Sequence, residues 1–136
     1  MFQLHDQLKT DTTKVAETAA CVLLLANDAR YPWLILVPKT ENATEIYQLS
    51  EEEQRAFSIT SNLLGRELMA LYNGDKLNVA ALGNQVPQLH VHHVVRFKTD
   101  AAWPSPIWGL GTAVAYTTTE LDERLQQLRA GLSFCQ

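Results

Sequence analysis

The chain has 136 residues, of which 46% are hydrophobic and 19% charged, and its formal net charge is −4. That length fits a single domain, 1–136, since single cores form at about 100–200 residues, and the apolar fraction suits a packed core rather than a disordered tail. Nucleic acid is excluded as the main partner by the lack of a dense Lys/Arg surface, and a membrane span by the lack of any run near about 18 apolar residues.

A single mononucleotide remains compatible with this charge, because backbone N–H groups and a few polar side chains can hold it. The opening Met1-Phe-Gln-Leu-His-Asp-Gln-Leu8 lacks the basic-then-apolar order of a secretory signal. Cys21 and Cys135 are spaced neither as a metal knuckle nor as a disulfide framework, so reduced thiols in a cytoplasmic protein are expected, with Cys21 a small core residue.

Residues 2–9 predict a short helix with Leu4 and Leu8 on one face. Cys21-Val-Leu-Leu-Leu-Ala26 reads as a buried strand, Asn27-Asp-Ala-Arg30 as a turn, and Trp33-Leu-Ile-Leu-Val37 as a second strand; so short a connection predicts an antiparallel hairpin. Ser50-Glu-Glu-Glu53 has the form of a capping box and opens a helix over 50–72, with Phe57, Leu64, Leu68 and Leu71 as its apolar stripe and Asn73-Gly74 as its stop. Leu77–Leu82 predicts a third strand, Gly83-Asn84-Gln85 a turn, and Gln88–Phe97 a fourth strand. Thr119-Glu-Leu-Asp122 predicts the start of a last helix that stops at Gly131. Antiparallel strands with segregated helices make an α+β domain.

The segment Asn84-Gln-Val-Pro-Gln88-Leu-His90-Val-His92-His93-Val-Val-Arg96 carries the chemistry. Strand alternation groups Gln88, His90 and His92 on one face and Leu89, Val91, His93 and Val95 on the other, which leaves His93 a structural role. Metal binding through His-x-His would need further ligands, and none follows: no carboxylate occurs between His93 and Asp100 and no histidine lies beyond His93. Covalent catalysis needs only a neutral imidazole whose second ring nitrogen is fixed by an acceptor.

This segment resembles the signature of the histidine-triad (HIT) superfamily, His-φ-His-φ-His-φ-φ with φ apolar, in the register that sets Gln88, His90 and His92 at the three polar positions. Val86-Pro-Gln-Leu-His-Val-His92 and the later Trp103-Pro run are similar to bacterial HIT hydrolases of the diadenosine tetraphosphate hydrolase-like kind. A second register, with His92 at the centre, leaves His93 at an apolar position and the third histidine missing. Gln88 in place of the first histidine and His93 at an apolar position are departures from the pattern. Gln88 can donate and accept hydrogen bonds but cannot become cationic.

The resemblance implies a HIT-like antiparallel sheet with one long central helix and a C-terminal helix, a homodimer, and no metal or cofactor. It also implies cleavage at the α-phosphorus of a nucleoside phosphoramidate or (di)nucleoside polyphosphate through a nucleotidyl-histidine. His90 would be the nucleophile, His92, Gln88 and Asn84 the donors to the phosphoryl oxygens, and Asn27 the ribose contact. Proton transfer to the leaving group is a second role open to His92. A nucleotide-binding regulatory module and a metal-binding protein using His90, His92 and His93 are the alternatives. Trp103 and Trp108 are read as a packed loop or dimer contact, with a place beside the active site or stacked on a base as the alternative; the apolar face of the histidine strand is a further candidate for the dimer contact, and Arg96 and Lys98 are read as a solvated strand end.

Overall fold

Two apolar runs joined by a short polar turn bury most surface when they pair, and this hairpin lies at the centre of the sheet. In the computed structural model, which describes residues 1–136, the elements in chain order are α1 (Asp6–Asp11), β1 (Thr12–Glu17), β2 (Cys21–Ala26), β3 (Trp33–Pro38), α2 (Glu51–Tyr72), β4 (Lys76–Ala80), β5 (Val91–Arg96) and α3 (Thr118–Gly131). Short 3₁₀ turns occupy Ile46–Gln48 and Ser133–Cys135. All strand pairs are antiparallel, in the order β1-β2-β3-β5-β4. No helix is long and apolar enough to cross a membrane.

One face of the sheet carries the main core. Leu23, Leu25, Leu34, Leu36, Val91 and Val95 pack against Phe57, Leu64 and Leu68 of α2 and Leu125 and Leu128 of α3. Gly65 allows the close approach of α2, since a Cβ there would lie 2.5 Å from Leu77 Cδ2. The apolar side of the histidine strand is therefore covered by helices within the chain, and it is not the free dimer surface that the sequence suggested. Cys21 is buried in this core, and burial pushes its thiol up to about 11. On the opposite face, Val22, Leu24, Ala26, Ile35 and Val37 meet Leu8 and, at the edge, Phe2 and Leu4.

The long helix follows its sequence signals. Ser50 accepts from the Glu53 N–H, the Glu53 carboxylate accepts from the Ser50 N–H, and Asn73 ends the helix at φ 51°. Leu71 leaves the expected stripe; it is 37% exposed and lies beside Gly131.

Several elements differ from expectation, and the strand expected over Leu77–Leu82 runs instead over Lys76–Ala80. The first helix begins at Asp6 because the His5 ring accepts from the Gln7 N–H and caps it there. Thr12–Glu17, an edge strand with only Val15 buried, gave too little alternation to be read. The last helix is capped by Thr117 rather than Thr119, because the longer Glu120 side chain reaches back to the Thr117 N–H where Asp122 would be too short. β5 begins at Val91, so Gln88 and His90 sit on the approach to the strand.

Arg96 is also not the solvated residue expected. It is 2% exposed, donating from Nε and Nη2 to the Asp100 carboxylate at 2.8 and 3.0 Å and from Nη1 to Asn78 Oδ1 at 2.8 Å, with Tyr31 and Trp103 stacked on the guanidinium. Burial opposes ionisation of Asp100, but Arg96 and the N–H groups of Phe97, Trp103 and Ala102 outweigh it and hold the carboxyl at about 2. This network ties the chain beyond β5 to the sheet. Arg96→Ala leaves that carboxylate buried and unpaired, and urea unfolding is expected to show a loss of about 3–5 kcal/mol. A loss under about 0.5 kcal/mol, typical of a surface substitution, would return Arg96 to the role of a solvated strand end.

Candidate active site

Alternation along β5 divides its histidines. His93 points into the helix-covered core, fully buried, where Nδ1–H donates to the Val91 carbonyl at 3.1 Å and Nε2 accepts from Ser61 Oγ of α2 at 2.7 Å. That leaves it no free nitrogen, and it lies on the other side of the sheet from His92. Three histidines therefore do not converge on one ion.

His90 and His92 instead line a cavity of about 550 Å³ on the opposite face, their ring centroids 5.1 Å apart. Trp33 of β3 and Trp108 flank them, and Leu8, Asp11, Asn27, Asp28 and Asn84 also line the space. The register Ile35↔His92 and Trp33↔Val94 sets the His92 ring beside Trp33, with centroids 5.7 Å apart. Trp108 meets both His92 and Trp33 edge-on, at 5.3 and 6.4 Å between centroids. A second cavity of about 550 Å³ lies against β1 and β2, lined by Phe2, Leu4 and three lysines, and holds no histidine or cysteine.

The hydrogen-bond partners define the ring tautomers. His90 Nδ1 lies 2.7 Å from the Gln88 carbonyl oxygen, which can only accept. Nδ1 therefore carries the proton, and Nε2 is left with its lone pair. At His92 the polarity is reversed. Trp33 Nε1–H, which can only donate, meets His92 Nδ1 at 2.9 Å, so the proton of His92 resides on Nε2. Burial, reinforced by His90 and then His93, holds His92 down to about 4, and the ring is neutral at pH 7. The site thus pairs a free imidazole lone pair with a neutral imidazole N–H donor.

The other expected site residues divide. Asn84 and Asn27 both line the cavity. Gly83 takes φ +74° and turns the loop that presents Asn84. Asn27 is oriented by Thr13 Oγ1–H, which donates to its Oδ1 at 3.0 Å, and by its own donation to the Thr10 carbonyl.

Gln88 does not line this cavity. Its Oε1 accepts from the His5 N–H and its Nε2 donates to the Gln3 carbonyl, both at 2.8 Å. Its amide fastens the N-terminal segment, and the expected donation to a phosphoryl oxygen has no support in this arrangement. Alternation reaches back beyond the strand start to Leu89 in the core and His90 in the cavity, and ends at Gln88, next to Pro87.

Trp33 and Asp28 were not singled out in the sequence, and Trp108, read there as a packed loop or dimer contact, flanks the histidines instead. Trp33 showed only a strand start, and its partnership with His92 depends on a strand register that no local pattern reveals. Asp28 is 2% exposed and accepts from Arg30 and from the Val114 N–H, joining the turn after β2 to the segment before α3.

A five-stranded antiparallel sheet backed by a long helix, with a lone-pair imidazole and a donor imidazole on its open face, defines an α+β protein equipped for nucleophilic chemistry. The HIT domain model matches residues 7–99, and the chain belongs to the HIT family. It is similar to solved histidine triad proteins from Marinobacter aquaeolei VT8 (47% identity, 97% of this chain and 96% of that one, TM-score 0.94) and Bradyrhizobium japonicum (41%, 96% and 98%, 0.93). A third such protein, from Sinorhizobium meliloti 1021, is 34% identical over 96% of this chain and 97% of that one, with a TM-score of 0.93. No curated protein gives a significant match.

His92 and His93 are both held at about 4, His92 by burial and its neighbouring histidines, His93 by burial against the Val91 carbonyl. An unfolded histidine titrates near about 6.5, so between these values the unfolded chain binds more protons than the native one. Stability is therefore expected to fall as pH drops from about 6.5 towards 4, seen as a lower urea midpoint at pH 4.5 than at pH 7. A midpoint unchanged across that range would mean that the two rings are not held neutral.

Proposed function

We propose that the protein is a nucleotide hydrolase or nucleotidyl transferase that cleaves at the α-phosphorus through a nucleotidyl-histidine on His90. The observation that carries this reading is the His90 Nδ1–H bond to the Gln88 carbonyl, which frees Nε2 for attack.

In the first step the Nε2 lone pair forms a bond to phosphorus, and the bond to the leaving group breaks with its electron pair. The ring becomes a phosphorylated imidazolium whose Nδ1–H still points at the carbonyl, an acceptor that favours the positive charge. In the second step water attacks the same phosphorus and the P–N bond electrons return to Nε2. The water proton leaves to solvent. His92 Nε2–H and the Asn84 amide are the donors available to the phosphoryl oxygens.

The shape of the cavity supports a nucleotide. β1 and β5 are separated by three strand spacings, about 14 Å, and the cavity extends from the histidines on the β5 side to Asp11 and Asn27 at the ends of α1 and β2. Asn27 is the ribose contact in this reading. The alternative of a metal-binding protein has no support, because His93 faces away.

The test is turnover of a panel of dinucleoside polyphosphates and nucleoside phosphoramidates. His90→Ala is expected to lower kcat by about four orders of magnitude or more while nucleotide binding persists, and His92→Ala by about 10²–10³. A nucleotidyl group trapped on the wild-type protein should map to His90. Binding without turnover of any panel member would instead establish a regulatory module, and loss of turnover in His92→Ala but not in His90→Ala would transfer the nucleophile to His92.

A further inference from the structure

We propose that Trp33 is a positioning residue that tunes this site to leaving groups able to depart as stable anions, so that phosphoanhydrides are cleaved in preference to phosphoramidates. The inference rests on the function proposed above and deepens it.

A leaving amine takes the electron pair of the broken P–N bond and must gain a proton as it departs. A leaving phosphate takes the pair of the broken P–O bond onto oxygen and spreads it over its other oxygens, with no proton required. The two classes therefore make different demands on the ring beside the nucleophile.

His92 cannot meet the demand of the amine. Its single proton is on Nε2, and Nδ1 is occupied by the Trp33 N–H at 2.9 Å. Giving up the Nε2 proton would leave an imidazole anion, far too costly in a buried site. Taking a second proton first, to become a cationic acid, would set an N–H on Nδ1 against the N–H of Trp33. Trp33 is itself fixed in β3, partly buried, with Trp108 edge-on beside it at 6.4 Å, so the indole is not free to turn aside.

No neighbouring group substitutes. The titratable groups around His92 are His90 before the strand, His93 behind it, and the carboxylates of Asp11 and Asp28 in the same cavity. Trp33, Trp108 and Ala80, which meet it from β3, the segment after β5 and β4, hold no proton to transfer. His90 holds its proton on Nδ1, facing the Gln88 carbonyl and away from the reacting nitrogen. Asp28 is paired with Arg30 and ionised, its carboxyl held low by that pairing against burial, and the Asp11 carboxylate accepts from Gln7 Nε2 at 2.9 Å at the far end of the cavity. What remains for His92 is donation of a hydrogen bond, which suits a nonbridging or departing phosphate oxygen.

The wild-type protein tests this directly. Expected kcat/KM for diadenosine tetraphosphate is at least about tenfold above that for adenosine 5′-phosphoramidate at pH 7, about 1.4 kcal/mol in transition-state free energy. Across adenosine phosphoramidates of ring-substituted anilines, the rate should fall steeply as the amine becomes more basic, the signature of departure without a proton. Trp33→Phe keeps the packing but removes the N–H, and Trp33→His supplies a partner that can accept as well as donate. Either is expected to narrow the preference at least about tenfold and to give the phosphoramidate a rate that rises from pH 7 to pH 5.

A wild type that prefers the phosphoramidate, a rate insensitive to amine basicity, or folded Trp33 variants with an unchanged preference would each overturn the inference. The leaving-group series requires no variant, so loss of folding in Trp33→Phe does not remove the test. Failure to cleave either class would overturn the function proposed above and this inference with it, whereas a phosphoramidate preference overturns this inference alone.

Discussion

Hydrogen-bonding groups of a single polarity face each of the two cavity histidines, and the chemistry of the site depends on that arrangement. A backbone carbonyl can only accept, so His90 must protonate Nδ1; an indole N–H can only donate, so His92 must not. The wrong tautomer at either ring would leave a buried polar atom without a partner, at about 1–3 kcal/mol, enough to make the favoured form dominate by about fivefold or more. Neither partner is a mobile side chain at the surface. One is main chain at the entrance to β5, and the other is held by the register of β3.

The same register serves both faces of the sheet. Trp33 and Ile35 turn toward the cavity while Leu34 and Leu36, between and beyond them, enter the core under α2. Slippage by one residue would exchange these sets, exposing leucines and burying the indole in the wrong layer. Packing energy thus enforces the geometry of the histidines, and no induced rearrangement is needed to form it. The end of the cavity at Asp11 and Asn27 is built differently, by a turn and an N-terminal segment. Gln88 fastens that segment through His5 and Gln3, and Thr13 and Thr10 orient Asn27.

Much of this was legible in the sequence wherever the signal is local. Ser50-Glu-Glu-Glu53 gave the start of α2, Asn73 its end, and the runs at Cys21 and Trp33 the central hairpin, because caps, left-handed residues and short apolar runs act within a few residues. Alternation within β5 separated His92 from His93 correctly. It failed one step upstream, where a proline-containing approach replaces the strand and turns the Gln88 amide to the N-terminal segment. The partnerships that give the site its character were not legible. Trp33 lies 59 positions from His92 in the chain, and the Arg96–Asp100–Asn78 network needs the pairing of β4 with β5 before Arg96 can be seen as buried. Sequence pattern reports which residues share a face; long-range pairing decides which of them touch.

The protonation of the two rings is the central point to measure. Nitrogen-detected NMR of histidine-labelled protein at pH 7 distinguishes the three ring forms at each site. The expected result is His90 with its proton on Nδ1 and a free Nε2, and His92 with its proton on Nε2 and a neutral ring. A His90 protonated on Nε2, or a doubly protonated His92, would contradict it.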